Sequence, residues 1–181
     1  MDDVLDTETT PKAKDRSRFA IFYERDARSL DETGMMEYKS TAEAAAGSQK
    51  LLEAGVLDGS VVTQLFRHSG ESGFSLVYAW FKPNYHLPRH SHNVDCLYYV
   101  VGGEVIMGSQ VLGVGDGFYV PGDQAYGYRA GPEGAEVLEF RHATSFDIKL
   151  DEKPEVFDRI LETVKANREQ WAADSVPPSR R

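Results

Sequence analysis

Residues 83–103 read PNYHLPRHSHNVDCLYYVVGG, and the pair His90-Ser91-His92 at the centre decides how the chain is read. On an extended strand, side chains alternate with a period of two, so imidazoles at i and i+2 share a face. Two neutral imidazoles on an inward face are half of a metal site. Downstream, residues 115–123 read GDGFYVPGD, a turn-rich segment of the kind such a site needs as its partner.

Outward from this stretch, the chain beyond Ser60 consists of short β runs punctuated by glycine. Strands are expected at 61–67, 74–82, 97–101, 104–107, 111–114, 118–120, 126–129 and 137–141. Breaks fall at 69–73, 102–103, 113–115, 121–123 and 131–134. Short strands at near-regular spacing, with no helices between them, predict an all-β fold, a single antiparallel barrel or jelly roll. A parallel α/β sheet is excluded because no crossover helices fit, and no internal repeat points to a second barrel.

Helical patterns flank the barrel. Ser40 with Glu43 reads as a capping box and Gly55 as a stop, predicting a helix over 41–54. Val156, Ile160, Val164 and Trp171 predict a second helix over 154–173, docked on the barrel or on a partner subunit. The chain thus divides into a disordered polar tail (1–17), an arm and helix (18–58), the barrel (59–150), and a C-terminal helix and tail (151–181).

Composition narrows the function. With 181 residues, 41% apolar and 27% charged, the chain has enough core for one domain. A net charge of -9 argues against nucleic acid as a partner. One cysteine, Cys96, excludes an internal disulfide framework and fits a reducing compartment. No apolar run approaches the roughly 20 residues that span a bilayer. The first residues lack an apolar signal core, so a cytoplasmic protein with no membrane partner is expected.

The two motif segments resemble those of the cupin superfamily, over roughly residues 60–142. The family's first motif is G-x5-H-x-H-x3,4-E-x6-G. Here Asn84 stands at the first glycine, His90 and His92 match, Cys96 takes the glutamate position and Gly103 closes the motif. The second is G-x5-P-x-G-x2-H-x3-N. Gly115 and Pro121 match, while Asp123 replaces the second glycine, Tyr126 the histidine and Ala130 the asparagine. In the family, such ligands hold a metal with open coordination positions, where substrate or dioxygen binds.

The resemblance implies a divalent transition metal (iron, zinc, nickel or manganese) held by His90 and His92. The remaining ligands stay open. His86 shares their parity if the strand is regular, although Pro88 between them can bend it; His142 can reach in from the end of the last strand, and Cys96 can ligate as a thiolate. Cys96 also reads as a small buried apolar residue. Tyr126 is the expected catalytic residue, orienting substrate or transferring a proton, with Tyr98 and Tyr128 in the substrate pocket. Tyr78 and Trp80 add to the aromatic supply. Glu139 and Arg141 alternate with Leu138 and Phe140, and the sequence does not say which pair lines the interior.

The expected function is a metal-dependent cupin enzyme with dioxygenase or lyase chemistry on a small organic molecule. The alternatives are a metal-free binding barrel and a metal-free isomerase or epimerase using a His–Tyr pair. A homodimer is expected through the apolar segment 19–23, paired at a barrel edge.

Overall fold

Cys96, Tyr98 and Val100 alternate with Leu97 and Tyr99, and burial follows the alternation: the first three are enclosed, the other two exposed. That one-sided pattern makes the segment a barrel wall. The structure is a computed structural model that describes residues 19–68 and 73–181. The tail expected over 1–17 and most of the turn at 69–73 lie outside the described residues.

The strands are β1 (Arg28–Ser29), β2 (Met36–Ser40), β3 (Ser60–His68), β4 (Phe74–Phe81), β5 (His86–Ser91), β6 (Cys96–Met107), β7 (Gln110–Leu112), β8 (Gly117–Val120), β9 (Tyr126–Arg141) and β10 (Phe146–Leu150). They form one curled ten-stranded sheet in the order β1-β3-β4-β9-β5-β10-β2, with β6 pairing β7, β8 and β9. The all-β jelly-roll expectation holds, with one departure from antiparallel pairing: β2 lies parallel to β10.

Two glycine segments read as breaks are instead bends inside long strands. Strand β6 runs through Gly102-Gly103, and β9 through 131–134. The β6–β9 register slips between Val100 and Gly102 and again between Gly103 and Val105, so the glycines mark bulges that curl the wall. At Gly103, with φ 62°, an added Cβ would lie 2.1 Å from the Gly134 carbonyl oxygen, which leaves no room for a side chain.

Two helices complete the chain, α1 (Ala42–Glu53) and α2 (Pro154–Ala173). Helix α1 begins one residue later than its capping-box reading. Thr41 is the cap and accepts from the Ala44 amide at 3.1 Å, because Ser40 is committed to the β2 ladder. Gly55, at φ 91°, ends that helix as expected. Helix α2 occupies the expected range and buries Phe157, Ile160, Val164 and Trp171.

The docking of α2 bears on the site. The Trp171 indole donates to the Pro83 carbonyl at 2.8 Å, and Lys82 Nζ donates to the Trp171 carbonyl. The Trp171 ring also packs on Tyr85, 5.5 Å between centroids. The helix therefore pins the loop that feeds β5. Residues 19–23, expected as an edge strand, are irregular, with Phe22 lying against Phe66 at 5.7 Å. Among the described residues no helix is long and apolar enough to cross a membrane.

Candidate functional site

Strand β5 carries His90 into the interior by way of a bulge. His86 pairs with Arg129 and Leu87 with Tyr128, but the next pairing is His90 with Tyr126. The extra residue lies at Pro88-Arg89, where proline cannot donate to the ladder. The parity argument that grouped His86 with His90 and His92 therefore fails. Leu87 shares the inner face with His90, while His86 stands on the outer face beside exposed Arg129. His142 is exposed as well and does not reach the pair.

His90 and His92 do come together, 5.0 Å between ring centroids and both buried. Each is oriented by a backbone carbonyl, which can only accept. His90 Nδ1–H donates to Pro88 at 2.8 Å, and His92 Nδ1–H donates to Asp147 at 2.6 Å. Both lone pairs are thus left on Nε2. The His92 loop is clasped to β10 by reciprocal bonds: the Asn93 amide to Asp147 Oδ1 and the Asp147 amide to Asn93 Oδ1, each 2.9 Å. Burial, then the other charges of the site, holds both imidazoles down at about 4; Arg141 contributes to both. At neutral pH both rings are uncharged.

Around them lie the expected tyrosines. The Tyr126 ring is 4.4 Å from His90, and its hydroxyl shares a short hydrogen bond with that of Tyr98. Tyr128 stacks beside Tyr126 at 6.4 Å, and Phe118 lies flat on Tyr98 at 4.4 Å. Burial raises all three phenols above their ordinary range, so they remain protonated donors. Tyr78 and Trp80 lie on the other face of β4, where Tyr78 bonds Glu136 at 2.6 Å.

The choice of face left open by the sequence is settled in favour of Glu139 and Arg141. Both are buried inside the barrel, and Arg141 Nη2 donates to Glu139 Oε2 at 2.7 Å and to the Tyr98 hydroxyl at 3.3 Å. The guanidinium also lies over the Phe146 ring at 4.1 Å, and that ring meets His92 edge-on at 5.3 Å. Sequence reading missed the role of Arg141 because alternation gives two faces without saying which is inward.

The side chains present do not complete the family's metal centre. Two neutral nitrogens are available. At the carboxylate position stands Cys96, whose thiol is pushed by burial up to about 12 and stays protonated. At the third imidazole position stands the protonated Tyr126. Glu139 is taken by Arg141, whose positive charge opposes a dication. Among the described residues, no third His, Cys, Asp or Glu joins the pair in a group able to hold a metal ion.

The backbone, in contrast, follows the motif at every turn. The four glycine positions of the two motifs are Asn84, Gly103, Gly115 and Asp123, with φ of 62°, 62°, 93° and 61°. Asparagine and aspartate are the side chains that tolerate this left-handed region best. Together with the strand layout and the inward imidazoles, these turns define a β-barrel of the cupin fold. No family model matches the sequence. No curated protein matches it either.

Among solved structures, the chain is similar to an RmlC-like cupin from Shewanella frigidimarina, at 26% identity and a TM-score of 0.41, over 48% of this chain and 78% of that one. It is similar to a DMSP lyase from Ruegeria pomeroyi, at 18% identity and a TM-score of 0.43, the match spanning 48% of either chain. A polyketide cyclase from Streptomyces resistomycificus is similar at 18% identity and a TM-score of 0.43, over 59% of this chain and 83% of that one.

Proposed function

We propose that the barrel is a metal-independent enzyme of the isomerase class, which moves a proton on a small carbonyl compound. The observation that carries this reading is the facing of His90 and Tyr126, 4.4 Å apart, one with a free lone pair and the other a protonated phenol. His90 Nε2 takes a proton from the carbon beside the substrate carbonyl. The C–H electron pair moves into the C=O, and Tyr126 hydrogen-bonds the oxygen as it becomes an enolate. In a 2-hydroxycarbonyl compound, His90 returns the proton to the former carbonyl carbon while the hydroxyl proton passes to the oxygen held by Tyr126, so carbonyl and hydroxyl change places without a co-reactant; return to the original carbon gives back substrate with its hydrogen exchanged. An imidazole held near 4 is a weak base at rest and gains strength as negative charge develops beside it.

A second reading, in which a divalent metal binds the imidazole pair and supports dioxygenase or lyase chemistry, is favoured by the two Nδ1–H bonds to carbonyls. Metal-binding histidines are oriented in this way. Elemental analysis of wild type beside His92→Ala separates the two. The proposal expects background metal in both proteins. It also expects wild type in chelator to place solvent deuterium on the carbon beside the carbonyl of hydroxyketones and 2-oxo acids, and His90→Gln and Tyr126→Phe to lose this exchange. Near one metal per chain, lost in His92→Ala, would overturn it and install the metal reading.

A further inference from the structure

We infer that the barrel interior contains a carboxylate-binding subsite, made by Arg141 with Ser75, so that the small molecule taken up is an organic acid anion. The inference deepens the isomerase reading and rests on it only for the chemistry that follows binding. Arg141 is 2% exposed, and its contacts use Nη2 alone, toward Glu139 and Tyr98. Its Nε and Nη1 atoms are buried with no hydrogen-bond partner among the described residues. Three of the five N–H bonds of a guanidinium are therefore unspent. Leaving such donors dry is unfavourable, and more so on a charged group than on a neutral one.

Ser75 supplies an independent observation. It sits directly across the β4–β9 ladder from Arg141, on the same inner face, with no exposure and no partner for its hydroxyl. Opposed Cβ atoms on an antiparallel pair lie about 5 Å apart. The two residues that carry these unsatisfied buried atoms are thus neighbours on one face of the barrel wall. A serine there adds a hydroxyl and little bulk to the face from which the Arg141 side chain rises.

The chemistry of the vacant donors selects the ligand. A carboxylate oxygen accepts a charge-assisted N–H bond from a guanidinium and another bond from a hydroxyl, and such bonds are about twice as strong as neutral ones. The carboxylates buried nearby are already engaged, Glu139 with Arg141 Nη2 and Asp147 with Lys39 and the Asn93 amide. The guanidinium lies over Phe146, which meets His92, and its Nη2 bonds the Tyr98 hydroxyl that pairs with Tyr126, so an acid seated on Arg141 shares its surroundings with the His90–Tyr126 pair.

The test follows the side-chain Nε–H resonance of Arg141 in 15N-labelled full-length protein, titrated with acetate and, separately, with acetamide. The expected result is a saturable shift with acetate and a response at least about tenfold weaker with the neutral amide. Ser75→Ala should weaken acetate several-fold, and this conservative change keeps the strand if an Arg141→Lys variant does not fold. A resonance indifferent to acetate, or equally responsive to both probes, would overturn the subsite and leave ordered water as the partner of Arg141. Repeating the titration in Tyr126→Phe keeps the two ideas apart. Acetate binding that survives loss of deuterium exchange supports the subsite, whereas deuterium exchange in a wild type blind to acetate rejects the subsite and spares the isomerase.

Discussion

Protonating either ring of the His90–His92 pair would bring a cation into a buried space that already holds Arg141. Both imidazoles are held at about 4, below their ordinary 6.5. The unfolded chain therefore binds more protons than the folded one between those values, and stability rises with pH across that window. It is complete above about 6.5 and is lost as pH falls toward 4. A shift of this size corresponds to roughly 3 kcal/mol for one ring, and the two rings are too close for their contributions to add. Urea midpoints should fall more steeply between pH 6.5 and 4 in wild type than in a His90→Gln/His92→Gln variant. Parallel profiles would mean that the rings titrate freely.

At the scale of elements, local chemistry was the legible part. Helix α2 and the stop at Gly55 followed from spacing and from the need for a left-handed residue, and the turn at Asp123 from the Pro121-Gly122-Asp123 break, whereas Asn84 read only as a departure from the motif's glycine. The bulge in β5 was legible only as a place, since Pro88 marks where the strand can bend but not the one-residue slip that removes His86 from the pair. Strand β10, whose Asp147 carbonyl orients His92, was also hidden, since five residues beside a parallel partner leave little pattern of their own. Tertiary contact decides the sign at Gly47 as well. Helix propensity alone favours alanine there by about 1 kcal/mol. Yet a Cβ at Gly47 would sit 2.5 Å from the Phe157 ring, which α2 holds in the core. Overpacking of this kind costs about 1–3 kcal/mol, so Gly47→Ala should lower stability and loosen α2 from α1. A variant more stable than wild type in urea would show that Phe157 moves aside freely.

Across the whole molecule, the barrel's outer wall carries exposed apolar side chains on a chain of net charge -9. Leu97 and Tyr119 face each other across the β6–β8 ladder at 50% and 57% exposure, and Tyr99 next along the wall is 45% exposed. On the other side of Leu97, Phe140 continues the strip to Phe74, 6.4 Å away. Exposed apolar strips of this breadth mark contact surfaces. The expected homodimer is better served by this wall than by segment 19–23, which is irregular and offers no strand edge. A second copy brings the same uncharged strip, so burial of the wall drives pairing while the acidic remainder of each chain opposes it. Salt screens the opposition without weakening the apolar contact. Sedimentation should therefore show a dimer at micromolar concentration that tightens as salt rises, and Leu97→Lys, with its side chain directed outward, should sediment as a folded monomer. A wild type that is monomeric at both low and high salt would remove the dimer. A dimer untouched by Leu97→Lys would move the contact off this wall.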